Sequence, residues 1–314
     1  MSLDLLAATR PYAETLAVPQ WTLGCFHRRC ITFATGVEDT STRVIWIQSH
    51  GLTGDLRLPL VRPDVRARGA LEACTEVERA ELARGEGFVA RTSWDGALMH
   101  WDAFAAFQPY EKWPEPGRLE RVGACLVEWA PSGIYVEDWR LQPGASGLSV
   151  GLQLVSETGA DGVCRRRSGG LVIAGDHALM LIGRRIPLPA GRAHEILAAD
   201  PGRWEQAFDC EVAYAVRHEG AWPIQLAVNP FTEGSDLLGR AVFEPDPSPD
   251  LLVQRNPEPG AAWRERLWRI DTLRADLAAG SATSALPGGL EWLARESDAL
   301  GISDRQRVRI ASAG

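Results

Sequence analysis

The sequence lacks the features that mark membrane, secreted and nucleic-acid-binding proteins. No apolar run approaches the roughly 20 residues of a membrane-spanning helix, and the N-terminus has no positively charged region leading into an apolar stretch. The 314 residues include only six cysteines, none in a C-x-x-C pair, so we expect reduced thiols. The net charge is −8, whereas a nucleic-acid-binding protein needs a positively charged surface, so this class is not favoured. The sequence therefore predicts a cytoplasmic protein.

The common catalytic motifs are also missing. The chain contains no phosphate-binding loop, no dinucleotide-binding glycine motif and no H-E-x-x-H. The letters around Ser149 match G-x-S-x-G, but the sequence continues as a strand where a nucleophile elbow needs a helix. The six histidines are dispersed, and none has a partner at the short spacing of structural zinc ligands. We therefore predict neither a metal site nor a cofactor.

Tryptophan is the residue type that the chain has in excess. Twelve tryptophans stand against four tyrosines, while the hydrophobic and charged fractions, 45% and 24%, are ordinary for a globular protein. Each tryptophan brings a large apolar surface and one N–H donor, which suits a core or a binding pocket. Two hairpin sequences, SWDGALMHWD and VEWAPSGIYVEDW, place tryptophan beside an acid.

The pattern along the chain predicts a mainly β protein. In the segment 42–59, Val44, Trp46 and Gln48 share one strand face and Ile45 and Ile47 the other, so both faces should be covered. Strand-like runs recur every 8 to 12 residues, separated by turn sequences. This spacing favours barrels or sandwiches, and the two β halves are candidates for structural duplicates.

The organisation predicts three parts. The first is a barrel unit over residues 1–118 with a helical insertion near 64–86, and the second is a barrel unit over 119–243. A proline- and acid-rich linker then leads to residues 251–314, where the spacing of apolar residues predicts helices packed on the barrels.

A resemblance to a known family supports two barrels. The passages W-I-Q-S…G-D-L-R-L-P, the Trp-Asp hairpin, F-Q-P and Y-V-E-D-W-R-L resemble a poorly characterised group of bacterial and fungal proteins built from two lipocalin-like domains. The resemblance covers roughly residues 20–190 and implies two antiparallel barrels of the calycin type. It carries no established activity, so it assigns no catalytic residue.

His100 and Asp102 are the first candidates for chemistry. Residues i and i+2 of a strand face the same way, and a carboxylate that holds a histidine ring fixes its tautomer and suits it to acid–base work. The alternative is a structural hydrogen-bonded pair at a strand end.

Glu137 is the second candidate, because it shares a strand face with Tyr135 and Trp139. A buried carboxylate among aromatic rings has a raised pKa and can exchange a proton near neutral pH. The alternative is an ion pair with a barrel arginine such as Arg57, Arg91 or Arg185, since a lone buried charge is costly.

Three hypotheses for function follow. The first is a module that binds a small, largely apolar molecule in a tryptophan-lined barrel, which has room for one such ligand. The second is a cofactor-independent isomerase, cyclase, hydratase or lyase acting on a hydrophobic metabolite through His100 with Asp102, or Glu137. The third is a scaffold with filled barrels that docks a partner through outer aromatics. The predicted ligand-binding residues are Trp46, Gln48, Arg57, Arg91, Trp101, Tyr135 and Trp139.

Overall fold

The computed structural model describes residues 1–110, 115–258 and 262–301. Within these ranges the α-helices are α1 (Leu3–Thr9), α2 (Glu76–Leu82), α3 (Ala193–Ala199), α4 (Trp204–Phe208) and α5 (Pro287–Glu296). None of the helices described is long and apolar enough to cross a membrane. Short 3-10 helices span Gln20–Thr22, Arg66–Arg68, Leu71–Ala73, Pro201–Arg203, Pro230–Thr232 and Ala279–Ser281.

The strands form two antiparallel sheets, so the mainly β prediction is confirmed. After β1 (Tyr12–Ala13), the first sheet contains β2 (Gly24–Phe33), β3 (Glu38–Asp39), β4 (Thr42–Gln48), β5 (Leu52–Pro59), β6 (Glu86–Trp94), β7 (Met99–Ala106), β8 (Arg118–Val122), β9 (Cys125–Trp129) and β10 (Tyr135–Leu141). The second sheet contains β1 together with β11 (Gly147–Thr158), β12 (Cys164–Arg166), β13 (Gly169–Ala174), β14 (His177–Ile182), β15 (Glu211–Val216), β16 (Ile224–Ala227), β17 (Val242–Pro245), β18 (Leu251–Arg255) and β19 (Glu265–Leu277).

The two sheets share one topology. The strand order is β7-β6-β5-β4-β2-β10-β9-β8 in the first sheet and β16-β15-β14-β13-β11-β19-β18-β17 in the second. Adding nine to each label of the first order gives the second, and the small strands β3 and β12 pair with the corresponding strands β2 and β11. The helical segments also correspond, because α2 lies between β5 and β6 and α3 and α4 lie between β14 and β15. The chain therefore repeats one structural plan.

The first sheet is curled, and among the described residues a single isolated bridge links its two ends. Met99 in β7 and Gly117, the residue before β8, exchange two backbone N–H···O hydrogen bonds of 2.8 Å each. The sheet thus encloses an interior on its concave face, and its convex face lies against the second sheet. At this contact Gly54 in β5 leaves room for Leu179 in β14, since a Cβ on Gly54 would lie 2.9 Å from Leu179 Cδ2.

The alternation in β4 explains why both of its faces are buried. Ile47 pairs across the ladder with Gly54, so it shares the convex face that packs on the second sheet. Trp46 pairs with Asp55, so it points into the interior. Ile45, Trp46 and Ile47 are all at most 3% exposed, which confirms that both faces are covered.

The concave face of the second sheet is filled with apolar side chains. Trp268, Phe243 and Ile270 form a buried cluster there with residues from β13, β14 and β15. Helix α1 completes this cluster with Leu3 and Leu6. The two halves therefore share a topology but differ in what their interiors hold.

The predicted boundaries of the parts need correction. Strands β8, β9 and β10 follow residue 118 but belong to the first sheet, so the division between the sheets falls after Leu141. The helical insertion near 64–86 is present as two 3-10 turns and α2, which begins with a capping box between Thr75 and Glu78.

The helical prediction for residues 251–314 is wrong over its first part. Residues 251–255 and 265–277 are the strands β18 and β19, whereas α5 is helical as expected. Arg266, Trp268 and Ile270 face one buried side of β19 with a period of two. Because Arg266 is charged, the apolar residues of this segment do not show the period of two. The spacing of Leu267 and Ile270 happens to fit a helix, and it led to the wrong prediction. Residues 302–314 lie outside the described residues.

Candidate functional site

The interior of the first sheet contains a cavity of about 440 Å³. Its wall is strongly aromatic, with side chains from β4, β6, β7, β10 and the segment after β7: Trp46, Phe88, Trp101, Tyr110, Tyr135 and Trp139. Because successive strand residues alternate between faces, each of these strands sends every second side chain inward. The cavity therefore depends on the curl of the sheet and on aromatic residues at the inward positions.

Trp46 stands at a steep angle to each of two other tryptophans of the wall. The ring of Trp46 lies 5.6 Å from Trp139 at 66° and 6.4 Å from Trp101 at 76°, both edge to face. Behind it, Phe26 stacks on Trp46 with ring centroids 5.2 Å apart. Such contacts fix the orientation of Trp46.

Carboxylates outnumber arginines in the wall. Among the described residues that line the cavity, Arg57 is the one arginine, and six are acidic: Asp55, Glu86, Asp102, Glu115, Glu128 and Glu137. Asp55, Glu128 and Glu137 are at most 7% exposed. Buried carboxylates need partners, so the pairing of each determines what the site can do.

Arg57 is paired with Asp55 on the same strand. Its Nε lies 2.7 Å from Asp55 Oδ1, and its Nη2 lies 3.3 Å from the second oxygen. Burial alone would lower the pKa of Arg57, but the surrounding carboxylates, Asp55 first and then Glu137 and Glu86, together raise it above the usual value. The guanidinium also lies over the ring of Phe88, 6.0 Å from its centroid.

Glu137 is paired with an arginine that the sequence did not suggest. Arg28 Nη1 in β2 donates to Glu137 Oε1 at 2.7 Å, and its Nη2 donates to Asp39 at 2.9 Å. The Arg28 side chain is only 4% exposed. Within the described chain, the ion pair expected for Glu137 is therefore made by Arg28 and not by Arg57, Arg91 or Arg185.

Glu128 is the buried carboxyl that keeps its proton. It lies directly opposite Glu137 across the β9–β10 ladder, and Tyr135 donates its phenol O–H to Glu128 Oε1 at 3.1 Å. Burial, followed by the charge of Glu137, raises the pKa of Glu128 to about 8. Glu128 is thus protonated at neutral pH, and the cavity holds a neutral acid beside charged carboxylates. Such a pair of unlike carboxyl groups can donate and accept protons.

The equivalent positions of the second sheet lack this arrangement. Trp139 lies opposite Leu126 in the first sheet, and Trp268 lies opposite Leu252 in the second. Two residues further along β18, Gln254 takes the place of Glu128 and accepts a 3.0 Å hydrogen bond from Trp268 Nε1. In the first sheet the indole N–H of Trp139 is buried and has no hydrogen-bond partner among the described residues.

Most of the predicted ligand-binding residues meet in the cavity. Its wall includes five of them, Trp46, Arg57, Trp101, Tyr135 and Trp139, together with the predicted acid–base residues Asp102 and Glu137. Gln48 lies elsewhere, because its amide donates to Thr92 Oγ1 at 2.7 Å and to backbone carbonyls. Arg91 points to the second sheet, where it donates to Gln153.

His100 has a different partner from the one expected. Its Nε2 lies 2.9 Å from Asp95 Oδ2 in the β6–β7 turn, and both side chains are over 40% exposed. Asp95 also accepts two backbone hydrogen bonds at this turn, which places it within reach of His100. The expected contact with Asp102 is therefore replaced by a turn contact, and His100 lies outside the cavity wall.

Glu128 is the site residue that sequence reasoning missed. The hairpin sequence VEWAPSGIYVEDW contains both glutamates, and counting back across the turn from Glu137 reaches the strand that carries Glu128. Within the described part of the chain, no group of three or more His, Cys, Asp or Glu side chains is arranged to hold a metal ion. Comparisons with protein-family models, curated proteins and solved structures returned no match.

Gly117 gives a direct test of the site geometry. An added Cβ there would lie 2.7 Å from Trp101 Cη2 and 3.1 Å from Glu128 Oε1. We expect Gly117→Ala to move the indole, to change the near-ultraviolet circular dichroism and to lower the free energy of unfolding by about 1–3 kcal/mol. Gly288→Ala, where nothing lies within 4 Å, serves as the control. Unchanged tryptophan signals in Gly117→Ala would contradict the prediction, because they would show that the added methyl group is accommodated without moving Trp101.

Proposed function

We propose that the protein binds a small, largely apolar molecule in the cavity of the first sheet, as a lipocalin-like protein does in its barrel. The observation that carries this proposal is the cavity of about 440 Å³ with three tryptophans in its wall. Small-molecule sites are usually concave and lined by aromatic and apolar side chains with polar groups among them, and this cavity has such aromatic walls together with several charged groups. The filled interior of the second sheet supports the choice of the first.

The two halves also differ at one tryptophan. The indole N–H of Trp268 has its acceptor in Gln254, whereas the indole N–H of Trp139 is buried without a hydrogen-bond partner among the described residues. Because buried donors are nearly always hydrogen-bonded, the first interior is the less completely satisfied of the two. All six cysteines are unpaired, which fits our expectation that the protein acts in the reducing cytoplasm.

An enzyme is the second candidate, and the protonated Glu128 favours it. A neutral carboxylic acid among tryptophans is suited to donate a proton to a double bond or a carbonyl group. The reaction class is the cofactor-independent isomerase, cyclase, hydratase or lyase. Glu128→Gln would then abolish turnover while ligand binding survives, whereas a pure binding protein has no turnover to lose.

Native mass spectrometry of the freshly purified protein tests the binding proposal. We expect a stoichiometric small-molecule adduct, which denaturing extraction then releases for identification. Ala106→Trp fills the cavity from β7 and should abolish the adduct, with Ala103→Trp as a second blocking variant. Ala97→Trp, at the exposed turn between β6 and β7, should keep it. An adduct that survives both blocking variants would place the ligand elsewhere.

A further inference from the structure

The cavity wall combines two features that together specify a ligand charge. The first is aromatic: Trp46, Trp101 and Trp139 all line the cavity, and Trp46 makes edge-to-face contacts with the other two rings. Six carboxyl groups share that wall with one arginine. Aromatic rings of this kind attract a cation placed over their faces, most strongly where water is excluded.

Arg57 and Arg28, the two arginines paired with carboxylates of the cavity wall, already have their partners. Arg57 is held by both oxygens of Asp55, and Arg28 bridges Glu137 and Asp39. Among the described residues, no arginine nitrogen lies within 4.0 Å of a Glu128 oxygen. Among the described residues of the wall, a ligand anion would therefore meet no unpaired guanidinium and more acidic than basic side chains.

We infer that the molecule bound in this cavity is an organic cation, carrying a protonated amine or a quaternary ammonium group beside Glu128. This inference rests on the binding function proposed above and names the ligand class. The tryptophans supply the walls around the cation, and the Glu128 carboxylate neutralises it.

Binding of a cation requires Glu128 to release its proton. The groups that face Glu128 are Glu137 and Tyr135 from β10 and Asp55 and Arg57 from β5. Without a ligand, burial and then the charge of Glu137 raise the pKa of Glu128, so Glu128 holds a proton. A bound cation replaces that proton, which passes to solvent, and the total charge of the site is unchanged. Affinity should therefore rise up to tenfold for each pH unit as the pH approaches 8, and then level off.

Two soluble probes of one shape test the inference. Choline carries a quaternary nitrogen where 3,3-dimethyl-1-butanol carries a neutral carbon, and neither titrates near pH 8. We expect choline to bind at least about tenfold more tightly at pH 8.5, as followed by shifts of the tryptophan indole resonances. Calorimetry in two buffers of different ionisation enthalpy should show release of one proton below pH 8.

Glu128→Gln should remove both the choline preference and its pH dependence, because the amide has no charge to offer. Glu120→Gln, on the neighbouring β8 and exposed, is the matched control and should retain both. Equal affinity for the two probes, or a neutral or anionic adduct in mass spectrometry, would contradict the inference that the ligand is a cation. The proposal that the cavity binds a small molecule would still stand. If neither probe binds and no adduct forms, the proposed binding function itself fails.

Discussion

Replacing Glu128 with glutamine is expected to stabilise the protein at pH 8 and to leave its stability nearly unchanged at pH 5. In the unfolded chain the carboxyl loses its proton above its ordinary pKa of 4.5, whereas burial and Glu137 raise the folded pKa to about 8. Between these values the folded state binds one proton more. Its stability therefore falls by up to about 1.4 kcal/mol for each pH unit as the pH rises. Glutamine does not titrate and escapes this loss.

The difference between the two proteins should reach roughly 4 kcal/mol between pH 5 and pH 8. Urea unfolding at several pH values measures it. Glutamine also keeps a side-chain oxygen to accept the Tyr135 hydrogen bond, so the comparison isolates the charge. Parallel stability curves for the two proteins would show that Glu128 is ionised in the folded state, and the inferred proton release would then fail as well.

Glu137→Gln is the matched opposite variant, since it changes the same group on the facing strand. Glu137 holds Arg28 at 2.7 Å, so its loss leaves that buried guanidinium with Asp39 alone. We expect this variant to destabilise the protein where Glu128→Gln stabilises it. If the two glutamate-to-glutamine changes alter the free energy of unfolding at pH 8 in opposite directions, Glu128 is the neutral acid and Glu137 is the member of the ion pair.

The sequence predicted the strands of the first half because local signals and tertiary structure agree there. The hairpin sequence SWDGALMHWD forms β6 and β7, joined by a turn over residues 95–98, and the alternation in β4 matches its two buried faces. The prediction for residues 265–277 failed because the charged Arg266 is buried at an inward position of its strand. Its carboxylate partner Glu157 lies on β11, more than a hundred residues away, and no local pattern reveals such a pair.

The sequence could predict which side chains of β10 line the candidate site, but it could not predict which residues they pair with. Alternation along β10 places Tyr135, Glu137 and Trp139 on one face, and the structure puts all three in the cavity wall. The partner of Glu137 is 109 residues away on β2, so sheet order decides it and the local sequence does not. The same long-range order sets Glu128 against Glu137 and thereby determines which carboxyl stays neutral.

Replacing Arg28 with methionine is expected to be among the most destabilising single changes in the first sheet. Methionine matches the apolar stem but leaves Glu137, which is 4% exposed, without its cationic partner, and it also removes a partner of Asp39. Removing one member of a buried ion pair costs about 3–5 kcal/mol, because the remaining charge stays desolvated. Urea unfolding at pH 7 measures the loss.

The double variant Arg28→Met with Glu137→Gln tests the cause of that loss. If the stranded carboxylate is responsible, the second change should recover much of the stability, because two neutral side chains then occupy the site. Simple addition of the two single losses would contradict this account and assign the cost to packing. Recovery would also establish that Arg28 contributes mainly as the ionic partner of Glu137, the residue that lies opposite Glu128 across the β9–β10 ladder.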